Sequence, residues 1–285
     1  MLVNCFLNRQ SLRRSKKVAT VHYNLGNRLF ECMLGKYMMY SCGYWANATN
    51  LDEAQEQKLD LICRKMQMEP GMEILDIGCG WGGFAEYAAC KHGVRVTGIT
   101  ISEEQADLAR RRCAGLPVNI RLQDYRTMTG HFDRIVSIGM FEHVGLKNYA
   151  VFMQKVNELL HPEGLFLLHT IGSKDNSPVD PWINRYIFPN GEIPSPGQLS
   201  RSFEEHLLLL DWHCFGHDYD LTLMAWLDRF RAGWPELRGK YDSRFYRMWV
   251  YYLSACAASF RANKNSLWQL VLSKPSYPSI YRSVR

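Results

Sequence analysis

Three glycines at alternate positions follow an acidic residue at the end of a short apolar segment that begins at Glu73. The acid is Asp76, and the glycines are Gly78, Gly80 and Gly82. Glycines in a tight turn let backbone amides approach a ligand closely. The spacing differs from the G-x-G-x-x-G of dinucleotide sites, and a neighbouring carboxylate suits a cation better than a pyrophosphate. The turn therefore predicts a site for the ammonium and sulfonium groups of S-adenosylmethionine.

Four further polar residues follow the next two predicted strands. The second strand ends without the carboxylate that usually binds ribose hydroxyls, so we expect Thr100 and Gln105 to supply those hydrogen bonds. Gln123 and Asp124 follow the third strand, where a carboxylate can accept a hydrogen bond from an adenine amino group. Their order along the chain strengthens the prediction of a nucleoside cofactor.

A second cluster follows the fourth predicted strand, where Phe141, Glu142 and His143 are consecutive. The Asn/Asp-Pro-Pro-aromatic tetrad of methyltransferases that act on base amino groups is absent here. A carboxylate at the mouth of an apolar strand is costly to bury without a function, so Glu142 is a predicted catalytic residue. Upstream, the polar and aromatic run from Tyr40 to Trp45 is expected to cover the cofactor, with Tyr40 and Ser41 contacting it.

Alternating strand and helix patterns position these clusters. They predict an α/β fold of the Rossmann-like class I methyltransferase type, with a mostly parallel seven-stranded sheet. Pro162 and Gly164 predict a turn into the fifth strand. The expected strands begin at Glu73 and cover Arg95–Thr100, Asn119–Leu122, Arg134–Ile138, Leu165–Ile171, Leu207–Phe215 and Ser266–Ser273; the expected helices begin near Phe84 and cover Glu103–Arg112, Tyr149–Leu160 and two aromatic-rich segments between Leu221 and Tyr252.

The predicted organisation has two parts. Residues 1–61 are expected to form an N-terminal linker and a helical lid, and residues 62–285 a methyltransferase domain with a helical insertion at about 218–262. The apolar run from Met248 to Phe260 is too short to cross a bilayer and predicts a buried helix.

Composition narrows the classes of partner. The net charge of +6 over 285 residues is too small to indicate nucleic acid but suits an anionic membrane surface. A basic cluster near the start is either a solvated tail or a lipid contact; it comprises Arg9, Arg13, Arg14, Lys16 and Lys17. The nine cysteines lack paired short spacings, which favours a reducing cytoplasm over a disulfide framework. No metal site is predicted, because His213, Cys214 and His217 lack further ligands.

Taken together, the chain resembles the cyclopropane-fatty-acyl-phospholipid synthases, with the mycolic-acid cyclopropane synthases as a more distant branch. The resemblance covers nearly the whole length. It rests on His22-Tyr23, Tyr40 to Trp45, Leu75 to Gly83, Gly98 to Gln105, Phe141 to Gly145, Leu168 to Gly172, Asp180 to Ile183, Ile187 to Gly191 and Asp218 to Asp220.

The resemblance implies methylene transfer from S-adenosylmethionine to a cis double bond in an acyl chain of a membrane phospholipid. An alkene carries no proton that must leave before it attacks, so no strong base is needed. The family's base is a bound bicarbonate, which implies a site made by Cys42, Glu142, His169, Tyr219 and the backbone of Ile171. Cys256 is a further catalytic candidate, although the role of a small buried hydrophobic residue in its helix is favoured.

The resemblance also implies partners and a location. An unsaturated phospholipid at the membrane surface is the expected partner, with no nucleic acid and with a homodimer as the expected assembly. The expected location is the cytoplasm, in peripheral association with the inner face of the membrane. Methylation of a small amine, as in plant alkaloid enzymes with a similar Phe-Glu-His segment, and a catalytically silent lipid-binding role are the alternatives.

Two departures from the family pattern stand out. The family motif His-Tyr-Asp-x-Gly-Asn-Asp has Asn24 and Arg28 in place of its two acids here. The bacterial phospholipid enzymes also carry an additional domain before the catalytic unit, and this chain is expected to lack it.

Overall fold

The sheet organises the molecule. The computed structural model describes residues 26–285. Within them one seven-stranded sheet has the order β3-β2-β1-β4-β5-β7-β6, in which only β7 runs antiparallel to its neighbours. The strands are β1 (Glu73–Ile77), β2 (Arg95–Thr100), β3 (Val118–Leu122), β4 (Phe132–Ile138), β5 (Leu160–Ser173), β6 (Leu208–Cys214) and β7 (Asn265–Ser273).

Helices cover both faces of the sheet and one of its ends. They are α1 (Asn27–Leu34), α2 (Leu51–Lys65), α3 (Gly83–His92), α4 (Glu103–Arg112), α5 (Tyr149–Leu159), α6 (Pro181–Tyr186), α7 (Pro196–Phe203), α8 (His217–Leu237) and α9 (Ser243–Arg261). Short 3-10 turns occupy Tyr125–Thr127, Phe141–His143 and Leu146–Asn148. The predicted α/β class, sheet size and helical insertion are confirmed.

One local prediction is wrong, and the predicted helical segments of the insertion are too short. Pro162 and Gly164 do not form a turn, because they lie within β5 where its register with β4 shifts. A Cβ on Gly164 would lie 2.8 Å from the backbone oxygen of His161, so a larger residue would have to displace this irregular stretch. The insertion helices run from His217 to Arg261, which agrees with the predicted insertion at about 218–262 but extends beyond the helical segments predicted between Leu221 and Tyr252. Asp218 and Asp220 occupy the first turn of α8, where the helix dipole favours acidic residues.

A helical cap closes the end of the sheet. α1, α8 and α9 share one apolar cluster that includes Phe30, Trp226 and Trp249. The departure at Arg28 is accommodated on the surface, where its guanidinium pairs with Glu236 of α8. The apolar run in α9 is helical but not wholly buried, since Tyr251 is 54% exposed.

The predicted domain boundary and the N-terminal predictions have different outcomes. The predicted boundary between residues 61 and 62 falls inside α2, which packs on α3. The basic cluster, His22, Tyr23 and Asn24 lie outside the described residues. In the described part of the chain no helix combines the length and hydropathy needed to cross a bilayer.

One glycine fixes how closely the lid approaches the sheet. Residues 35–50 run between α1 and α2, and their Tyr37 carbonyl passes over the first residue of α3, Gly83. A Cβ there would lie 1.9 Å from that backbone oxygen, which is impossible without displacing the lid.

We expect Gly83→Ala to lower the free energy of unfolding by about 1 to 3 kcal/mol, because the added methyl overpacks a backbone contact. Gly197→Ala in α7 is the matched control, since its Cβ would meet only the end of the Arg201 side chain, at 3.5 Å. The control should be neutral or stabilising, as alanine favours a helix over glycine. Urea unfolding measures both; equal stabilities would contradict the close lid contact.

Candidate active site

A cavity opens at the carboxyl ends of β1 to β4, under the lid. Nine of the ten predicted cofactor residues line it. They are Tyr40, Ser41, Asp76, Gly78, Gly80, Thr100, Gln105, Gln123 and Asp124. The structure therefore brings together residues that are spread over 85 positions of the sequence. We call the cavity that they line the cofactor cavity.

The glycines of the turn have two roles, because some leave space for a ligand and one allows two helices to pack closely. Gly78, Gly80 and Gly82 all have positive φ, at 84°, 53° and 82°. A Cβ on Gly80 would meet no atom within 4 Å, so this position leaves open space in the cavity wall. Gly82, by contrast, does not line the cavity: it caps α3, and its Cβ would lie 3.1 Å from Ala109 of α4. Its glycine serves helix packing.

Asp76 presents a buried carboxylate to this cavity. It is 2% exposed, and its Oδ2 has no hydrogen-bond partner among the described residues. Burial raises its pKa to about 7, because the charged form loses its hydration. A cationic ligand would restore the favourable environment, so the residue fits the ammonium or sulfonium group of S-adenosylmethionine.

The other polar groups of the cavity already have internal partners. The Thr100 hydroxyl donates to Gln105 Oε1 at 2.9 Å, which fixes the side-chain amide in the wall. Asp124 accepts two hydrogen bonds from the Arg126 guanidinium, at 2.8 and 2.7 Å, and one from the Arg126 backbone N–H, at 3.0 Å. Sequence reasoning missed Arg126 and Trp81, which also line the cavity.

A second cavity adjoins the first, and the two share Tyr40, Gly139 and His143. Four predicted catalytic residues line the second cavity: Glu142, Ile171, Tyr219 and Cys256. His143 belongs to both spaces although only its neighbour was predicted. A group bound in one cavity can therefore meet a group bound in the other at a single junction, and we call the second space the acyl cavity.

Glu142 is held in a fixed orientation. Its Oε1 accepts a hydrogen bond of 2.7 Å from the backbone N–H of Ile171, while its Oε2 is buried with no partner in residues 26–285. Burial raises the pKa of this carboxyl group. Burial also raises the pKa of Tyr219, so the phenol stays protonated.

Two predicted catalytic residues line neither cavity. Cys42 is fully buried, and its thiol donates a hydrogen bond to the Gly43 carbonyl at 3.1 Å. Because the thiol is buried, its pKa is raised. His169 lies on β5, and its Nδ1 is 3.3 Å from Nε2 of Gln269. The Nε2 atom of His169 has no hydrogen-bond partner among the described residues. Burial lowers the pKa of this imidazole, which keeps it neutral.

Lys58 is a site residue that sequence reasoning missed. It is completely buried, and its Nζ donates to Ser41 Oγ at 2.9 Å. Gln55, one turn earlier on α2, donates to the Ser41 carbonyl at 2.9 Å. Burial lowers the pKa of Lys58 to about 7. Its signal in the sequence is helical spacing, because it shares a face with buried Leu51, Ala54, Leu61 and Ile62.

Comparisons with known proteins identify the family. The family model for mycolic acid cyclopropane synthetase matches residues 10–270. The cyclopropane-fatty-acyl-phospholipid synthase of Escherichia coli K12 is 57% identical over 268 residues, which cover 94% of this chain and 70% of that protein. The chain belongs to the mycolic acid cyclopropane synthetase family. The predicted resemblance is confirmed.

Solved structures of this family share the fold. The cyclopropane synthase MmaA2 from Mycobacterium tuberculosis superimposes with a TM-score of 0.86 at 29% identity, covering 91% of this chain and 98% of that one. Mycolic acid cyclopropane synthase CmaA1, complexed with SAH and CTAB, gives 0.85 at 29% identity, with the same coverage. The chain is therefore an S-adenosylmethionine-dependent enzyme of this family.

We expect Gly80→Val to abolish S-adenosylmethionine binding, because its side chain would enter the open space of the cofactor cavity. Gly115→Val is the matched control: Gly115 also has positive φ, at 82°, and an open Cβ position, but it lines neither cavity. Calorimetry on both folded variants tests this. Unchanged affinity in Gly80→Val would remove the turn from the cofactor site.

We expect cofactor affinity to fall as the pH drops below about 7, because Asp76 must lose its proton to face a cation. One linked proton limits the slope to about tenfold per pH unit. Asp76→Asn should bind more weakly at high pH and lose this component of the pH dependence. Titrations between pH 5.5 and 8.5 measure it; an equal slope in Asp76→Asn would assign the dependence to another group.

Proposed function

We propose that this enzyme transfers a methylene unit from S-adenosylmethionine to the cis double bond of an unsaturated acyl chain in a phospholipid, forming a cyclopropane ring. The observation that carries the proposal is the junction of the two cavities at Tyr40, Gly139 and His143. The 57% identity to the Escherichia coli synthase supports the phospholipid as the substrate.

The acyl cavity suits a reaction that develops positive charge on a hydrocarbon. When bound, S-adenosylmethionine supplies an electrophilic methyl carbon. Aromatic rings surround the junction. The ring centroids of Tyr40 and Phe188 lie 6.3 Å apart, and those of Phe188 and Tyr252 lie 5.9 Å apart. Each ring face can stabilise a desolvated cation by about 1 to 2 kcal/mol. The Tyr40 and Tyr252 hydroxyls are hydrogen-bonded at 2.8 Å, which holds both rings in place.

Ring closure requires a proton to leave the transferred carbon. We assign the base to bicarbonate, which when bound supplies a modest proton acceptor. Support comes from Glu142, which lines the acyl cavity and whose buried Oε2 lacks a partner among the described residues. Burial raises the pKa of both Glu142 and Tyr219, which favours their protonated, hydrogen-bond-donating forms and so suits a neighbouring anion. Cys42 and His169 line neither cavity, so they are not part of this proposed contact with the anion.

The proposed location of the enzyme follows from its substrate. A phospholipid acyl chain resides in a bilayer, so we propose peripheral contact with a membrane surface. Methylation of a small amine is the alternative, and identity to the Escherichia coli lipid enzyme favours the acyl substrate.

The direct experiment incubates the enzyme with vesicles and methyl-labelled S-adenosylmethionine, and then analyses the fatty acids. Unsaturated phospholipid should yield labelled cyclopropane fatty acid, whereas fully saturated phospholipid should yield none. Label recovered only in a water-soluble amine would establish the alternative and overturn the lipid assignment.

We expect Glu142→Ala to fold and to lose activity by about a hundredfold or more, because the carboxyl group that orients the proposed bicarbonate base is removed. Glu142→Gln is the matched variant, since its amide oxygen still accepts from the Ile171 N–H and preserves the fold. Added bicarbonate should restore part of the loss in Glu142→Ala. Turnover equal to that of the parent would exclude Glu142 from the chemistry.

A further inference from the structure

Three aromatic side chains form a patch on the surface of the helical cap. Trp182 of α6 contacts Tyr251 of α9 with ring centroids 4.5 Å apart, and Tyr186 lies 5.5 Å from Trp182. Tyr186 and Tyr251 are 42% and 54% exposed, while Trp182 is half-buried. Their contact joins two helices that are distant in sequence, and we call these three residues the aromatic patch.

The aromatic patch borders the acyl cavity. Tyr251 lines the cavity, as does Ile183, which follows Trp182 on α6. The exposed residues Ser177 and Pro178, in the loop before α6, line it as well. The cavity therefore reaches the surface beside the exposed aromatic rings.

Cations surround the aromatic patch. The Arg185 guanidinium lies over the Tyr186 ring, 5.4 Å from its centroid. Arg247 precedes Tyr251 by one turn on the exposed face of α9, and Lys264 lines the rim of the acyl cavity. None of these three cations forms a direct ion pair with a carboxylate of residues 26–285, although Lys264 interacts electrostatically with Asp175.

Asp180, one of the acids near this rim, caps the adjacent helix. Asp180 accepts hydrogen bonds from the backbone N–H groups of Trp182 and Ile183, at 2.9 and 3.1 Å. Its carboxylate thus caps α6 and holds the aromatic patch in position. The rim consequently offers aromatic rings together with positive charges that lack ion-pair partners in the described structure.

We propose that the aromatic patch, with Arg185, Arg247 and Lys264, is the surface that docks on a bilayer of anionic phospholipid. Amphipathic rings are enriched at the level of lipid headgroups, and basic side chains are attracted to anionic lipids. Docking here places the mouth of the acyl cavity on the membrane, so that an acyl chain enters without crossing water. The inference rests on the proposed function for its substrate, but binding can be measured without turnover.

The experiment uses the full chain and cosedimentation with vesicles of saturated anionic phospholipid, which contain no double bond. The double variant Tyr186→Glu/Tyr251→Glu should lose at least about tenfold in vesicle affinity, because added negative charge faces the anionic surface. Leu146→Glu/Val151→Glu is the matched control: these side chains are 46% and 48% exposed and line neither cavity. The control should bind as the parent does.

A charge series tests the electrostatic part. Replacing Arg185, Arg247 and Lys264 by Gln should weaken binding to anionic vesicles by about fivefold for each cation removed. Binding should also fall as salt rises, since screening shortens the range of the attraction. Circular dichroism and unfolding of each variant establish that it is folded.

Two outcomes would overturn the docking surface. If folded patch variants bind vesicles as the parent does, and binding is instead lost when the basic cluster is neutralised, that cluster docks. If the patch variants change only the oligomeric state in sedimentation, the aromatic patch is a contact between copies. Cyclopropane formation on unsaturated vesicles is measured separately, so the proposed function can fail while docking holds, and the reverse.

Discussion

Lys58 places an amino group in the interior of the protein, against the hydroxyl of Ser41. With Gln55 on the Ser41 carbonyl and Thr222 accepting from the Gly43 N–H at 3.0 Å, it fixes the lid by hydrogen bonds that water cannot replace. Buried polar groups are costly when unpaired, so the lid has one satisfied position. Tyr40 stands in that segment, and both cavities depend on it for a shared wall.

The same interior holds groups that await a ligand. Asp76 and Glu142 each keep one buried carboxylate oxygen without a partner in the described chain, and His169 keeps one such nitrogen. Such groups lower the stability of the empty protein, and a bound ion of suitable charge recovers that loss. The site is therefore organised before its ligands arrive, which is the condition for electrostatic catalysis.

Local pattern predicted much of the framework. The predicted limits of β2 and α4 agree with the structure residue for residue, because apolar periodicity and the Ser102 cap mark them clearly. The glycine turn located the cofactor cavity, although Gly82 proved to serve packing. The depths of Cys42 and His169 and the burial of Lys58 depend on contacts between distant segments. A single sequence carries little signal for such contacts. The predictions for residues before 26 remain untested.

The position of β7 has a consequence for how the protein is made. In the described sheet β6 pairs only with β7, and the α8–α9 hairpin separates the two along the chain. During translation β6 therefore leaves the ribosome as a strand without its partner, an exposure that invites aggregation. Insertion of β7 between β5 and β6 then brings Asn265 to the wall of the acyl cavity. Completion of the sheet and closure of that cavity thus become one late event in biosynthesis.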